Sequence, residues 1–347
     1  MRRLACLIAL AIAVPFSLAR AGADEDWAVV VKLDDGPGVT PSSREEALRI
    51  ARGHFAKHRA ALQKFIREHP SDPRVFDAKI RLAGIDAAEG KMDSQPAKVQ
   101  SALQQLFALE KSKDVPTQKL ADASFHRISL QMQTFEGRDE ELREAVVTAA
   151  RNFAARFPTD KRSPRLLVEA ATQCDNRPDL MRDLLVQARS LSREPALNAR
   201  IDDDMRRLNT LGKPLESSFS TIQGSTIDLT RLRGKIVVLV FWAAESPHCI
   251  MWMQSFLDAL RKTPMNNVVV IGISLDENRK SLDEAMKAFG IDWPTHFDGK
   301  GWENAVARPL GINAIPTVWV LDKKGVLRTL NARDNFQTWI RKLQLER

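Results

Sequence analysis

The chain has 347 residues, which is long enough for two domains with separate hydrophobic cores. Lysine and arginine exceed aspartate and glutamate by 52 to 44, so the formal net charge is +8. The basic residues are spread along the chain and form no cluster, which excludes the electrostatic footprint of a nucleic-acid-binding protein.

Residues 1–21 have the pattern of a secretory signal peptide. Arg2 and Arg3 precede an apolar run from Leu4 to Leu18, and small residues around Ala21 form a cleavage site. We therefore expect cleavage after Ala21 and export to the periplasm or the cell envelope. The alternative is an uncleaved signal that anchors the chain, and membrane attachment is expected only in that case.

Residues 22–43 are rich in acidic residues, glycine and proline, which predicts a linker or irregular arm with one possible short strand at Val29–Val31. Residues 44–211 follow a helical period almost throughout, which predicts an all-α domain. Eight helices are expected, marked by the apolar residues of Leu48–Phe65, Phe76–Ala87, Val99–Leu106, Ala121–Phe135, Leu142–Phe157, Leu167–Cys174, Leu180–Leu191 and Leu197–Leu208.

A weak internal repeat lies within this helical domain. The segment from Phe65 to Pro70 and the segment from Phe153 to Pro158 have the same spacing, and each ends a helix at a proline. The pattern resembles tetratricopeptide-like repeats, which implies an array of helical hairpins that binds a protein or peptide partner. The alternative is a helical packing domain that only supports its neighbour.

Three residues of the helical domain carry side chains that can bind metals or act as nucleophiles. His54 and His58 are four residues apart on one predicted helix, but no third ligand and no zinc-protease glutamate accompany them, so no metal is expected. Cys174 lies on an apolar helical face and is expected to be a buried, inert thiol. No cofactor is expected either.

Residues 212–347 begin with a Gly-Lys-Pro break and then change in character. The apolar run from Ile236 to Phe241 predicts a fully buried strand, and a helical pattern starts directly after Cys249. A cysteine at a helix start is placed for redox chemistry, because first-turn N–H groups and the helix dipole favour a thiolate. Further apolar strands alternate with helices, which predicts parallel pairing.

This region resembles the thioredoxin superfamily, in particular its exported bacterial-envelope branch of the TlpA/ResA, redoxin-like type. The family pattern of Gly-Lys, an apolar strand and Phe-Trp-Ala is matched by residues 234–235 and 241–243. The resemblance implies a thioredoxin-like α/β sandwich behind the helical-hairpin array. It also implies that Pro316 is the family's cis-proline, facing the active cysteine and pairing with a substrate peptide.

One residue departs from the family pattern in a way that decides the chemistry. Ser246 stands where the family has its first, attacking cysteine, and only Cys249 retains sulfur. Dithiol exchange needs a thiolate that attacks and a second thiol that resolves the mixed disulfide. A serine hydroxyl cannot do this, so ordinary reductase or isomerase activity should be absent. Glu245 also replaces the family's usual tryptophan.

Three hypotheses about function remain open from the sequence. The first is a redox-degenerate binding module, whose protein or peptide partner occupies the helical array and a groove formed by Trp242, Glu245, Pro247, Ile315, Pro316 and Thr317. The second is a monothiol oxidoreductase acting through Cys249 beside His248. The third is a peroxidase, since peroxiredoxins also place Thr or Ser three residues before their reactive cysteine. Arg308 or Arg333 is available as the arginine of such a site, although the sequence assigns neither.

Overall fold

The computed structural model describes residues 16–113, 115–134, 140–175 and 177–346. The chain forms two compact units, Met1–Phe135 and Glu136–Arg347. The first unit is helical, and the second combines helices with a mixed sheet, so the predicted α plus α/β class is confirmed. No helix within these described ranges is both long and apolar enough to span a bilayer.

The described residues of the first unit form five helices, and the first of these helices replaces most of the predicted irregular arm. They are α1 (Phe16–Asp34), α2 (Arg44–Glu68), α3 (Val75–Met92), α4 (Pro96–Lys111) and α5 (Thr117–Gln133). The prediction of a linker and short strand over residues 22–34 was wrong, because tertiary packing stabilises a helix there. Ala23 and Val30 are buried, and the Trp27 ring lies 4.9 Å from the Phe65 ring.

The predicted cleavage point after Ala21 falls within α1, and residues 1–15 lie outside the described ranges. The signal peptide therefore stays a prediction. The helices α2 to α9 correspond to the eight predicted from periodicity, although Phe135 at the end of the fourth lies outside the described residues.

The second unit starts with four more helices and continues into the sheet. The helices are α6 (Glu140–Arg156), α7 (Arg162–Thr172), α8 (Pro178–Leu191) and α9 (Pro195–Thr210). The predicted boundary between residues 211 and 212 thus lies inside this compact unit. Direct contacts explain the grouping: Asn313 Nδ2 donates to Asp204 Oδ1 of α9 at 3.0 Å, and Gly212 N donates to Leu327 O at 2.9 Å.

The sequence repeat corresponds to one local structure that occurs twice. In the turn between α2 and α3, Asp72 accepts hydrogen bonds from the backbone N, Nε and Nη2 of Arg74. In the turn between α6 and α7, Asp160 accepts the same three bonds from Arg162. The carboxylates satisfy backbone groups at the start of each second helix, so the two turns are stabilised by the same hydrogen bonds.

The sheet of the second unit has the strand order β5-β4-β3-β6-β7. Its elements are β3 (Ile236–Trp242), α10 (Pro247–Arg261), β4 (Val268–Ser274), α11 (Arg279–Phe289), β5 (Thr295–His296), β6 (Thr317–Leu321), β7 (Leu327–Thr329) and α12 (Phe336–Leu345), preceded by a hairpin of β1 (Ser218–Ser220) and β2 (Thr226–Asp228). β3 pairs in parallel with β4 and antiparallel with β6. Every residue of β3 is buried, as expected for a central strand with both faces covered.

Candidate functional site

The candidate site lies where the central strand β3 meets the helix α10. Trp242 is the last residue of β3 and is fully buried. Ser246 is the N-cap of α10, and Pro247 is its first helical residue, a position that suits proline because no backbone donor is needed there. Cys249 follows in the first turn. The predicted strand, tight loop and helix are therefore confirmed.

Ser246 has a structural function in this loop. Its backbone is extended, and its Oγ accepts a hydrogen bond from the backbone N of Cys249 at 3.4 Å. Serine is among the preferred N-cap residues, because its hydroxyl satisfies an N–H group that the helix leaves unpaired. The residue that replaces the family's attacking cysteine thus stabilises the helix on which Cys249 lies.

Cys249 is completely buried, with 0% of its surface exposed. Burial raises the pKa of its thiol above the usual range, and the carboxylate of Asp276 raises it further. Contacts with the Ala243 backbone and the Ser246 hydroxyl act in the opposite direction but are outweighed. The position at a helix start alone favours a thiolate; in the folded chain, loss of solvent makes Cys249 a protonated thiol.

The exposed part of the motif loop consists of Glu245, Pro247 and His248. Asp276, which lies two residues after the end of β4 and is fully buried, fixes this loop by hydrogen bonds. Asp276 Oδ1 accepts from the backbone N of Glu245 at 3.0 Å, and its Oδ2 accepts from Ser274 Oγ at 2.8 Å. Sequence reasoning missed Asp276; the available signal was an acidic residue directly after the strand that pairs with the motif strand.

The segment containing the proline lies on the other side of β3. Phe241 is paired with Thr317, the first residue of β6, so this pairing brings residues 315–317 to the end of the motif strand. The Ile315–Pro316 peptide bond is cis. Pro316 and Thr317 are buried, whereas Ile315 is half-buried, so part of this edge is open to solvent beside the motif loop.

The loop before Pro316 is held by contacts with the helix α9, and the sequence did not predict these contacts. Gly311 has φ +73° and lies directly against the carbonyl oxygen of Asp203. Asn313 donates to Asp204, which is itself buried and paired with Arg207. The helical part of the second unit therefore fixes the path of the chain as it enters the cis-proline segment.

The remaining predicted residues do not join this site. Cys174 is fully buried, and burial raises the pKa of its thiol to about 11, as expected for an inert cysteine. Arg308 and Arg333, available in sequence as partners for a peroxidatic thiol, pair with Glu303 and Asp334 respectively.

One group of side chains satisfies the spacing of a metal site within the described residues. It consists of Asp26, Glu68 and His69, whose ligand atoms lie within 4.8 Å of one another. The ammonium group of Lys64 is 2.7 Å from Asp26 and 3.8 Å from Glu68. Because the Lys64 ammonium already pairs with both carboxylates and would repel a metal ion, this cluster is an ion-pair network and not a good metal site.

Replacement of Asp276 should separate the effect of its charge from the effect of its hydrogen bonds. Asp276→Asn removes the charge near Cys249 but keeps an acceptor for Glu245 N, so thiol alkylation should rise a few-fold. Asp276→Ala also releases the loop, and we expect about tenfold faster alkylation together with faster amide exchange of residues 243–248. Asp258→Ala, an exposed change on α10, is the control. Equal alkylation rates in all three variants would show that Asp276 neither suppresses the reactivity of Cys249 nor holds the motif loop.

Comparison with known proteins finds similarity over the C-terminal part of the second unit. Residues 213–330 match the model of the AhpC/TSA family. Sporulation thiol-disulfide oxidoreductase A of Bacillus subtilis is 29% identical over 108 residues, which are 30% of this chain and 63% of that protein. Thiol-disulfide oxidoreductase ResA of Bacillus anthracis is 27% identical over 104 residues, 30% of this chain and 58% of the relative. The chain thus spans about three fifths of the length of these relatives.

The solved structures include a similar domain. The thioredoxin domain of a thiol-disulfide oxidoreductase from Bacteroides vulgatus is 18% identical and covers 38% of this chain and 97% of that domain, with a TM-score of 0.34. The matched family, the strand order and the position of the motif loop all indicate a thioredoxin-like fold. The C-terminal part of this chain therefore has a thioredoxin-like fold and matches a redoxin family model over residues 213–330, and it follows an N-terminal helical array.

Proposed function

We propose that this chain is an exported binding protein whose thioredoxin-like domain recognises a protein or peptide and does not carry out dithiol exchange. The observation that carries the proposal is the state of the motif: Ser246 caps the helix, and Cys249 is a buried, protonated thiol. The relatives are named thiol-disulfide oxidoreductases. In this chain the same fold lacks a residue able to start that reaction.

The recognition surface in this proposal is the edge between the motif loop and the cis-proline segment. Glu245, Pro247 and His248 are exposed on one side, and Ile315 is half-exposed on the other. Buried Trp242, Pro316 and Thr317 form the base, which keeps the backbone of both segments in place. An extended peptide could pair with this backbone, while the exposed side chains select its sequence.

The proposal predicts that Cys249 does not react with iodoacetamide in the folded protein near neutral pH. Alkylation of the full chain from about pH 6 to about pH 10, followed by mass spectrometry, separates Cys249 from Cys174. Because the folded pKa of Cys249 is raised, its protonated form contributes stability below about pH 8.5, and this contribution is lost as the pH rises through the folded pKa. Rapid alkylation of Cys249 at pH 7 without denaturant would refute the proposal.

A monothiol or peroxidase function is the second candidate. It is favoured by the Ser246-x-x-Cys249 spacing together with the match to the AhpC/TSA family. It requires Cys249 to become accessible and to ionise, against its burial. Peroxide consumption with a thiol donor tests it, and activity that disappears in Cys249→Ser would favour this candidate over the binding module. Trapping of partners through Cys249 without peroxide turnover would favour the monothiol form.

Export itself is part of the proposal and has its own support in the N-terminal pattern of residues 1–21. Expression of the full chain in a bacterial host, followed by separation of periplasmic, membrane and cytoplasmic fractions, tests it. N-terminal sequencing of exported protein should show Gly22 as the first residue. Retention of residues 1–21 on membrane-bound protein would support the anchored alternative.

A further inference from the structure

A cavity of about 390 Å³ lies in the first unit, away from the motif loop in sequence. It is formed by the C-terminal end of α1, the loop of residues 36–41 and the first half of α2. This volume falls within the range of roughly 300–1,000 Å³ that is typical of small-molecule sites. Most of its wall is apolar, including Leu33, Val39, Ala47, Ile50, Ala51 and Phe55.

The polar part of the wall is formed by Asp34, His54 and His58. His58 is only 7% exposed, and its Nε2 is buried without a hydrogen-bond partner in the described part of the chain. The closest charged oxygen is Asp34 Oδ1, at 3.5 Å, and Asp34 is also held by Arg81 at 3.0 Å. A ring nitrogen without a hydrogen-bond partner retains the capacity to bond to a polar group.

The charges around His58 restrict the chemistry of that group. Burial lowers the pKa of His58, and this outweighs the carboxylate of Asp34, so the imidazole is neutral near neutral pH. A carboxylate ligand would be repelled by Asp34. An ammonium group is disfavoured because the guanidinium of Arg81 already pairs with Asp34 at 3.0 Å and would repel a second cation there. A hydroxyl group can accept a hydrogen bond from the imidazole N–H of His58 and donate one to the carboxylate of Asp34. If the imidazole is in its other tautomer, the hydroxyl can donate to the ring nitrogen instead.

A metal ion is a poorer occupant. Three ligand atoms from Asp34, His54 and His58 do not come within 4.8 Å of one another, whereas the cluster around Asp26 does, among the residues that the structure describes. Zinc and copper sites in proteins need three or four converging ligands. The two histidines therefore form one polar corner of an otherwise apolar cavity.

We propose that this cavity binds a small apolar molecule that ends in a hydroxyl group, an alcohol or a phenol, with the hydroxyl at His58 and Asp34. The body of the molecule lies against the apolar side of α2 and the loop of residues 36–41. The site belongs to the first unit and does not depend on the function proposed for the thioredoxin-like domain.

The test compares three probes of similar shape on the full chain by titration calorimetry. 4-Ethylphenol carries the hydroxyl, ethylbenzene lacks it, and 4-ethylbenzoate replaces it with a carboxylate. We expect saturable binding of 4-ethylphenol, at least about tenfold tighter than binding of either other probe. The reason for the difference from ethylbenzene is the buried hydrogen bond that only the phenol can form. No saturable binding, or equal binding of ethylbenzene, would overturn the proposal.

Variants locate the binding within the chain. Ala51→Leu fills the cavity and should abolish binding, with Ala47→Leu as a second filling variant in case the first unfolds. Ala60→Leu makes the same change at an exposed position of α2 and should bind as the wild type does. His58→Leu should bind ethylbenzene and 4-ethylphenol equally. Unchanged 4-ethylphenol binding in a folded filling variant would place the molecule elsewhere and refute the site.

Discussion

Ser246→Cys is expected to convert this chain into an active dithiol oxidoreductase. The new thiol would stand at the N-cap of α10, three residues before Cys249, in the position from which the family's first cysteine attacks. The free N–H groups at the helix start would lower its pKa, and Cys249 would resolve the mixed disulfide. In an insulin-reduction assay with dithiothreitol we expect turnover at least about tenfold above the wild-type background.

Two controls separate restored chemistry from the mere addition of a thiol. Ser255→Cys adds an exposed cysteine on α10 outside the motif and should leave activity at background. The double change Ser246→Cys with Cys249→Ser should trap substrate as a mixed disulfide but not turn over. Oxidised Ser246→Cys should also contain one intramolecular disulfide by mass spectrometry. If the disulfide forms but insulin is not reduced, the absence of the attacking thiol is not the only reason why the wild-type chain is inactive.

Gly311→Ala is expected to be the most destabilising single methyl addition in the second unit. A Cβ at this position would lie 2.2 Å from the carbonyl oxygen of Asp203 and 3.2 Å from Arg206 Cβ. The residue also has φ +73°, a conformation that side chains disfavour. Because both partners lie on the rigid helix α9, the free energy of unfolding should fall by about 3 kcal/mol.

Gly224→Ala isolates the conformational part of this effect. Gly224 has φ +79°, but a Cβ there would meet no atom within 4 Å, so we expect a loss of only about 1 kcal/mol. Urea unfolding, monitored by tryptophan fluorescence, measures both variants. Faster amide exchange of residues 311–317 should accompany the change at Gly311 alone. Equal destabilisation by both substitutions would mean that the contact between α9 and the cis-proline loop is unimportant.

The chemically decisive residues could be predicted from their local patterns. The apolar run of β3 and the helical period after Cys249 predicted the strand and the helix, because each depends on neighbours close in sequence, whereas the capping role of Ser246 was found only in the structure. α1 was not predicted, because its helical state depends on packing of Trp27 and Val30 against residues far along the chain. Local composition of acids, glycine and proline favoured an irregular arm instead.

The amino-acid sequence by itself determined that serine stands at position 246, where the similar family has its attacking cysteine, and no folding can change that residue. Only the tertiary structure decided the state of the remaining sulfur. Burial beneath the motif loop and the nearby carboxylate of Asp276 raise the pKa of Cys249. Its position at a helix start would by itself lower this pKa. Solvent exclusion and long-range contacts such as Asn313 to Asp204 join residues distant along the chain, so no local pattern contains them.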